Sequence, residues 1–286
     1  ASDVYKRQLL KTSKDIFEIG FEKLSDKPFI SFWEMAKQLP SLIKLKSYLT
    51  VSQLVNSKLK NKFLRKAFSI HPLLVGGNPF TTTSIYALIH YLERKWGVYF
   101  CMGGTGKIVK ELENLMVRQG IDIKKQSDVE RISITNGKAE NVVLTDGSKI
   151  EADLVICNAD PPTVYSEMLP SKYSRDSLLK PKKFTHYSMG LYVLFFGSKK
   201  KFSNVAHHTI WMSERYKDLL HDIFEKKILT DDFSLYLHRP TATDETFAPE
   251  GCDSFYVLCP VPNLQGDVQW DSEGPKLKDK IVEALD

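Results

Sequence analysis

Three observations predict a mixed α/β (α+β) fold. Between Gly103 and Asp160 a glycine-rich turn opens a helix, and the helix is followed by three β-like segments separated by Asn136-Gly137 and Asp146-Gly147. Those dipeptides, set between alternating apolar residues, are the strongest short-range hairpin signals. Upstream, from Asp15 to Phe68, apolar residues recur mostly every three or four positions, the period of amphipathic helices. Downstream of Pro181 the pattern is mainly sheet, interrupted by one helical run. At 286 residues, 42% hydrophobic and 26% charged, the chain is able to bury a large core in one large domain or two.

The elements follow in order. Residues 1–8 contain DVYKRQ, one frame's translation of a transposon adapter used in making sequencing libraries. They are expected to be an assembly scar, with a genuine N-terminus as the alternative, and they carry no weight in the fold argument. From there to about residue 97 the chain is expected to be helical, with Leu42, Ile43, Leu45, Leu49, Leu54, Val55, Leu59, Phe63 and Leu64 as its apolar set and Pro40-Ser41 as a helix boundary. His71–Thr83 is a breaker-rich loop. Ser84 or a neighbouring Thr is positioned to cap the next helix, and Gly97 to close it. A helix after Gly104 is expected to bury Ile108, Leu112, Leu115 and Met116 and to stop at Gly120. Strands are expected at Val129–Thr135, at Asn141–Thr145 and from Lys149 to Cys157. The last becomes continuously apolar at Leu154-Val155-Ile156-Cys157, as on entering a buried parallel sheet. Asp160-Pro161 reads as an N-cap followed by a first-turn proline. Further strands are expected at His186–Phe196, Ala206–Trp211, Phe233–His238 and Ser254–Cys259, with a helix over Ser213–Lys226. The chain stops at IVEALD, which reads as the interior of a helix and suggests truncation.

Composition narrows the function classes. The four cysteines, Cys101, Cys157, Cys252 and Cys259, form no CxxC pair, which favours reduced core thiols over zinc or disulfide frameworks. The longest apolar run, Leu191–Phe196, is far too short to span a bilayer. The net charge is a modest +5, but from Met35 to Leu92 there is no Asp or Glu, while Lys37, Lys44, Lys46, Lys58, Lys60, Lys62, Arg65 and Lys66 fall in that stretch. Basic amphipathic helices of this kind suit an anionic membrane surface, at about 1 kcal/mol per basic residue. A solvated basic face explains the same pattern equally well. Nucleic acid fits less well, because no aromatic interleaving or base-reading motif accompanies the charge.

Catalytic signatures are thin. There is no HExxH, no GxSxG and no carboxylate-rich cluster. Gly103-Gly104-Thr105-Gly106-Lys107 fails as a P-loop, since Cys101 and Ile108 stand where Gly and Ser/Thr are needed. It fails as a dinucleotide fingerprint, since Val109 stands where a glycine is needed. A tight helix-entry turn and a close approach to a ligand remain open for it. His207 and His208 are adjacent, so on a strand they would point to opposite faces, and no metal site is expected. An enzyme whose cofactor carries the chemistry needs no acid–base set of its own.

Longer motifs carry a resemblance. LLVGGNPFTTTSIYALIHYLERKWGVYF with the GGTGK turn, IEADLVICNADPPTVYSEMLP, LYVLFFG, VAHHTIWMSERYKDLLHDIF, DDFSLYLHRPTATDETFAPEGCDSFYVLCPVPNL and WDSEGPKLKDKI closely resemble the bacterial-type phytoene desaturases (phytoene dehydrogenases). The similarity runs from about Lys58 to the end and more loosely back through the helices. It implies a flavoprotein of the glutathione-reductase/amine-oxidase type. Such a protein binds FAD and desaturates phytoene by hydride transfer to the flavin with proton loss from the adjacent carbon. It implies a helical, membrane-facing substrate part over 9–97, the middle portion of an FAD-binding domain over 98–170, and a sheet/helix substrate domain over 171–286. It also implies a peripheral position on the inner face of the cytoplasmic membrane, which raises the membrane reading of the basic helices above the bland one.

Family roles carry over in places. Val129 matches a position whose backbone contacts adenine, Asn158-Ala159-Asp160 sits where the chain passes FAD, and Gly103-Gly104 lies near the flavin or substrate mouth. Arg65 matches an arginine of the substrate region, although Lys62 stands where the family pattern has an acid. The N-terminal GxGxxG and the C-terminal FAD-contacting glycine motif have no counterpart in the chain, so 286 residues alone are expected to bind FAD poorly and not to turn over. Related expectations are a C30 carotenoid desaturase, a carotenoid isomerase, and a non-catalytic membrane-binding or escort protein on the same scaffold.

Overall fold

Helices come first, as the apolar spacing predicts. A computed structural model describes residues 2–23, 26, 31–173 and 187–286. It divides into two units, Ala1–Thr105 with Ser188–Asp286, and Gly106–Tyr187. In the larger unit α1 (Ser2–Gly20) buries Leu9, Ile16 and Phe17 completely. After α2 (Phe32–Lys44), α3 (Val51–Lys58) is opened by a reciprocal Thr50–Gln53 capping box and α4 (Lys62–Ser69) by the Asn61 side chain. Leu9, Ile16, Leu45, Val51, Leu54, Val55, Leu59 and Ala87 make one core between them. Pro40 does not mark a boundary; it lies inside α2. Its ring removes one N–H from the helical ladder without ending the helix.

A 3₁₀ turn, His71–Val75, ends at Gly76, whose φ is +74°. A Cβ there would meet Ser188 Cβ at 2.8 Å. Thr83 caps the next 3₁₀ turn, Ser84–Leu88, and α5 (Ile89–Trp96) is closed by Gly97, as the sequence predicts.

The same unit carries a four-stranded sheet of β4 (Gly190–Ser198), β5 (His208–Trp211), β6 (Leu235–His238) and β7 (Asp253–Val261), in the order β4-β7-β6-β5 with antiparallel neighbours. Helices α8 (Tyr216–His221) and α9 (Trp270–Leu285) complete it. The start expected for the first of these strands, His186, lies outside the described residues.

Strand register sorts the side chains into two faces. Leu235, Val257, Cys259 and Val261 are buried with Leu277 and Ile281 of α9, and Tyr192, Leu194 and Phe196 pack against them. Burial pushes the Cys259 thiol up to about 12. The alternate residues, among them Leu191, Val193, Phe195, Tyr256, Leu258, Tyr236 and Ile210, line the opposite face.

The corner where β6 ends and β7 begins is held by charge. Asp253 accepts hydrogen bonds from Thr241 Oγ1 at 2.6 Å and the Phe202 N–H at 2.6 Å, and pairs with Arg239 at 3.2 Å. Burial alone would raise its pKa, but these three partners hold it below the usual carboxylate range.

In the smaller unit α6 (Thr105–Arg118, all but its first residue) precedes a meander of β1 (Val129–Thr135), β2 (Lys138–Leu144) and β3 (Lys149–Glu151), antiparallel in the order β1-β2-β3. Asn136 and Gly137 take φ of +52° and +81°, the left-handed pair of a tight hairpin turn. The short helix α7 (Pro161–Thr163) follows and continues as a wider turn, Val164–Met168.

Three expectations are corrected here. Helix α6 forms but buries nothing: Ile108, Leu112, Leu115 and Met116 are all exposed. Strand β3 stops at Glu151, and Leu154 and Ile156 are 74% and 88% exposed. Among the described residues no neighbouring strand pairs with Leu154–Cys157, and an apolar run without a partner ladder does not hold as a strand. Cys157 is therefore exposed, and of the four free cysteines only Cys259 is buried.

Candidate functional site

The open face of the four-stranded sheet is apolar without being covered. Cross-strand partners share a face, so the rows Val193–Leu258–Tyr236–Ile210 and Phe195–Tyr256–His238–His208 lie side by side on it. Phe195 is 74% exposed and Leu74, from the 3₁₀ turn, 64%. Between that turn and the strands lies a cavity of about 270 Å³, lined mainly by apolar atoms of Ile70, Leu73, Leu74, Leu191, Tyr256 and Leu258.

Three histidines gather at one corner of this face. His208 and His238 are direct partners across β5 and β6, with Nδ1 atoms 3.4 Å apart. Tyr236 Oη lies 2.6 Å from His208 Nδ1 and 3.2 Å from His238 Nδ1. His207 lies just before β5, outside the ladder, so strand alternation does not govern it. Its ring sits 4.4 Å from that of His208 and 4.6 Å from that of His238. The argument that adjacent histidines must point apart is thereby overturned. Burial, and then the neighbouring His207 and His208, depress His238 to about 4, and burial lowers His207 as well.

The residues singled out from the sequence occupy separate places. Arg65, on α4, donates from Nε to the Leu59 carbonyl at 2.6 Å and from Nη2 toward the Asn56 carbonyl at 3.4 Å. It thus satisfies carbonyls at the C-terminus of α3 and fixes the α3–α4 turn. Gly103 and Gly104 have φ of +85° and +83°. The Gly103 N–H donates to Asp244 Oδ2 at 2.8 Å and the Gly104 N–H to the Cys101 carbonyl at 2.8 Å. A Cβ on Gly104 would come within 2.9 Å of the Phe247 ring. Both N–H groups are committed inside the protein, and the close approach Gly104 permits is to Phe247.

In the smaller unit Val129 opens β1 at a register irregularity and is 37% exposed. Asn158, Ala159 and Asp160 are exposed and lead into α7, whose first two residues are Pro161 and Pro162. Prolines there carry no N–H, so this helix start offers no row of donors to a diphosphate. Val129 and residues 158–160 are thus exposed residues of the smaller unit, and the double proline sets their helix start apart from a phosphate-holding one.

Sequence reasoning missed the His207–His208–His238 corner and the Arg239–Asp253 node. Each needs two segments about 30 or 14 residues apart to meet, which only the β5–β6–β7 register reveals.

Comparison with known proteins fits this architecture. Residues 10–231 match the family model of flavin-containing amine oxidoreductases. Among solved structures, a protein of Pyrococcus furiosus aligns over 83% of this chain and 54% of its own with a TM-score of 0.58. An oxidoreductase from Methanosarcina mazei aligns over 90% and 56% with a TM-score of 0.57. Both are 17% identical, which speaks for the fold alone. The chain belongs to the flavin-containing amine oxidoreductases, and within them to the phytoene desaturases. It is 43% identical to a lycopene-forming phytoene desaturase of Pseudescherichia vulneris and 42% identical to that of Pantoea ananas, over 98% of this chain and 57% of each relative. A neurosporene-forming phytoene desaturase of Rhodobacter capsulatus is 38% identical over 98% of this chain and 55% of its own length. The chain thus spans little more than half the length of the curated relatives it matches.

Proposed function

We propose that the protein to which this chain belongs is an FAD-dependent desaturase of phytoene, and that the open face of the four-stranded sheet is one wall of its hydrocarbon site. The observation that carries the reading is that face: the alternate apolar residues of β4 stay 41–74% exposed and those of β7 only partly covered, while their neighbours are closed off by α9. A substrate without polar groups offers no hydrogen bond to aim at, so binding rests on apolar area, at about 25 cal/mol per Å² removed from water. The cavity of about 270 Å³ falls just short of the ~300–1,000 Å³ of complete ligand sites, as befits one wall of a larger tunnel. When bound, flavin would supply the hydride acceptor. Val129 and Asn158-Ala159-Asp160 would lie along its edge, and Arg65 would act by holding the α3–α4 turn.

The uncovered apolar surfaces of α6 and of Leu154–Cys157 support a second part of the reading. They are where the segments that the longer relatives possess would pack to complete the flavin domain. The exposed Leu39 and Ile43 of α2, beside Lys37 and Lys44 and within the acid-free stretch from Met35 to Leu92, suit an anionic bilayer surface. No helix among the described residues is long and apolar enough to cross a membrane.

The test is expression of the coding region extended to the length of its relatives in cells that accumulate phytoene. Coloured, desaturated product is expected, with the lycopene-forming pattern favoured by the higher identity to those relatives. Unchanged phytoene in the presence of folded, flavin-loaded protein would overturn the reading. The chain of 286 residues alone is expected to yield no stoichiometric yellow protein.

A further inference from the structure

The histidine corner has the geometry of a metal site. One ring nitrogen from each of His207, His208 and His238 lies within 4.8 Å of the other two. A tetrahedral centre with metal–nitrogen bonds of ~2.0–2.1 Å requires ligand nitrogens about 3.4 Å apart. The Nδ1 atoms of His208 and His238 already stand at 3.4 Å. Two imidazole nitrogens at that distance share either an N–H···N hydrogen bond or a cation.

The third nitrogen is marked independently. His207 commits Nδ1 to the Thr243 hydroxyl, and its Nε2 is buried with no hydrogen-bond partner. A buried, unsatisfied ring nitrogen is costly unless something occupies it. A second ring nitrogen fixed by an outer hydrogen bond is the usual arrangement of metal-binding imidazoles. The walls are dry: Phe100 stands edge-on to His207 with ring centroids 4.7 Å apart, and Tyr256 stacks on His238 at 4.4 Å.

We propose that His207 through Nε2, and His208 and His238 through Nδ1, form a three-imidazole site for a divalent late first-row transition ion of the zinc type. The fourth position faces Tyr236 Oη and water. The proposal rests on these residues alone and does not depend on the hydrocarbon reading. It pins the end of β5 to β6 at the edge of the open face, by ligands taken from strand partners in register.

The experiment uses the chain as it stands, stripped with chelator and titrated with Co²⁺ and then Zn²⁺. One ion per chain is expected, with the intense visible absorption of four-coordinate cobalt, bleached when zinc displaces it. His208→Gln and His238→Gln are each expected to weaken binding at least 100-fold. Thr243→Val should weaken it about 10- to 100-fold, as loss of an outer-shell partner does. His221→Ala, on the exposed end of α8, leaves it unchanged. A second measurement needs no variant: Zn²⁺ should protect the exposed His208 of the native chain from acylation while His221 goes on reacting. Absence of cobalt absorption, binding that survives the His208→Gln/His238→Gln double variant, or protection elsewhere would each overturn the proposal, leaving a proton shared among Tyr236, His208 and His238 as the account of the cluster.

Discussion

The two faces of the four-stranded sheet are made from the same strands and the same kinds of residue, yet they do opposite work. On β7, Phe255, Val257, Cys259 and Val261 are 0–6% exposed, the last three in a core shared with α9, while Tyr256, Leu258 and Pro260 between them are only partly covered. On β4, Leu191, Val193 and Phe195 are 49%, 41% and 74% exposed, and Tyr192, Leu194 and Phe196 face inward. An ordinary half-buried antiparallel sheet alternates apolar and polar residues. Here both phases are apolar, so hydrophobicity alone does not tell which face the fold needs. The closed face serves stability, whereas the open face leaves apolar area exposed, as the proposed hydrocarbon site requires. That difference is measurable, because a closed-face substitution should cost folding energy and an open-face one should not.

The largest effect is expected at the closed edge. Asp253 sits on the closed-face phase of β7, 2% exposed, and accepts from Thr241, Phe202 and Arg239 together. Replacing it with Ala leaves the buried Arg239 guanidinium without its anion, at a cost of about 3–5 kcal/mol. Denaturant unfolding of Asp253→Ala against the parent chain checks this. A loss below about 1 kcal/mol would mean that this corner is far wetter than its geometry implies.

A second expectation contrasts an enclosed histidine with those at the open corner. His90 is 6% exposed, donates from Nε2 to the Phe68 carbonyl at 2.8 Å, and faces His71, Glu93 and Arg94. Burial above all, then the nearby His71, depresses it from 6.5 to about 4. The folded pKa lies below the unfolded one, so between these values the unfolded chain binds the extra proton. Stability from this residue is therefore complete above pH ~6.5, declines as pH falls, and levels off below pH ~4, by on the order of 3 kcal/mol in all. Unfolding free energies measured across pH 4–7 should show that slope, and His90→Gln should flatten it.

Much of the fold is legible in the sequence, because local signals decide it. Asn136-Gly137 takes the left-handed pair of angles its hairpin needs, Thr83 caps where expected, and Gly97 closes α5. What misleads is anything that depends on a partner. The apolar stripe of α6 and the run Leu154–Cys157 were legible as surfaces to be buried, but burial is a property of two elements, and the second is not among the described residues. Pro40 shows the reverse, a strong local breaker overridden within α2. The site divides likewise. The long motifs identify the family, whereas the His207–His208–His238 corner depends on β5 and β6 meeting in one register, and on His207 lying one residue outside the ladder that alternation presumes.

The smallest effect on stability should be the most informative about function. Leu191 and Phe195 stand two positions either side of Val193 on the open phase of β4, where their register partners on β7 are Pro260 and Tyr256. Both side chains already face water, so Leu191→Ser/Phe195→Ser should shift unfolding by no more than about 0.5 kcal/mol, the range of surface changes away from packed features. Apolar area that is spare for folding is available for binding. A hydrocarbon covering a side chain of this size gains about 1.5–3 kcal/mol from each, so the double variant should lose at least ten-fold in affinity for a dispersed carotenoid while keeping its melting temperature. The measurement pairs thermal unfolding with carotenoid binding on the same samples. Loss of both together would make the open face part of the folding core, and loss of neither would remove it from the hydrocarbon site. Only separation of the two readouts matches a sheet whose faces have been assigned different tasks.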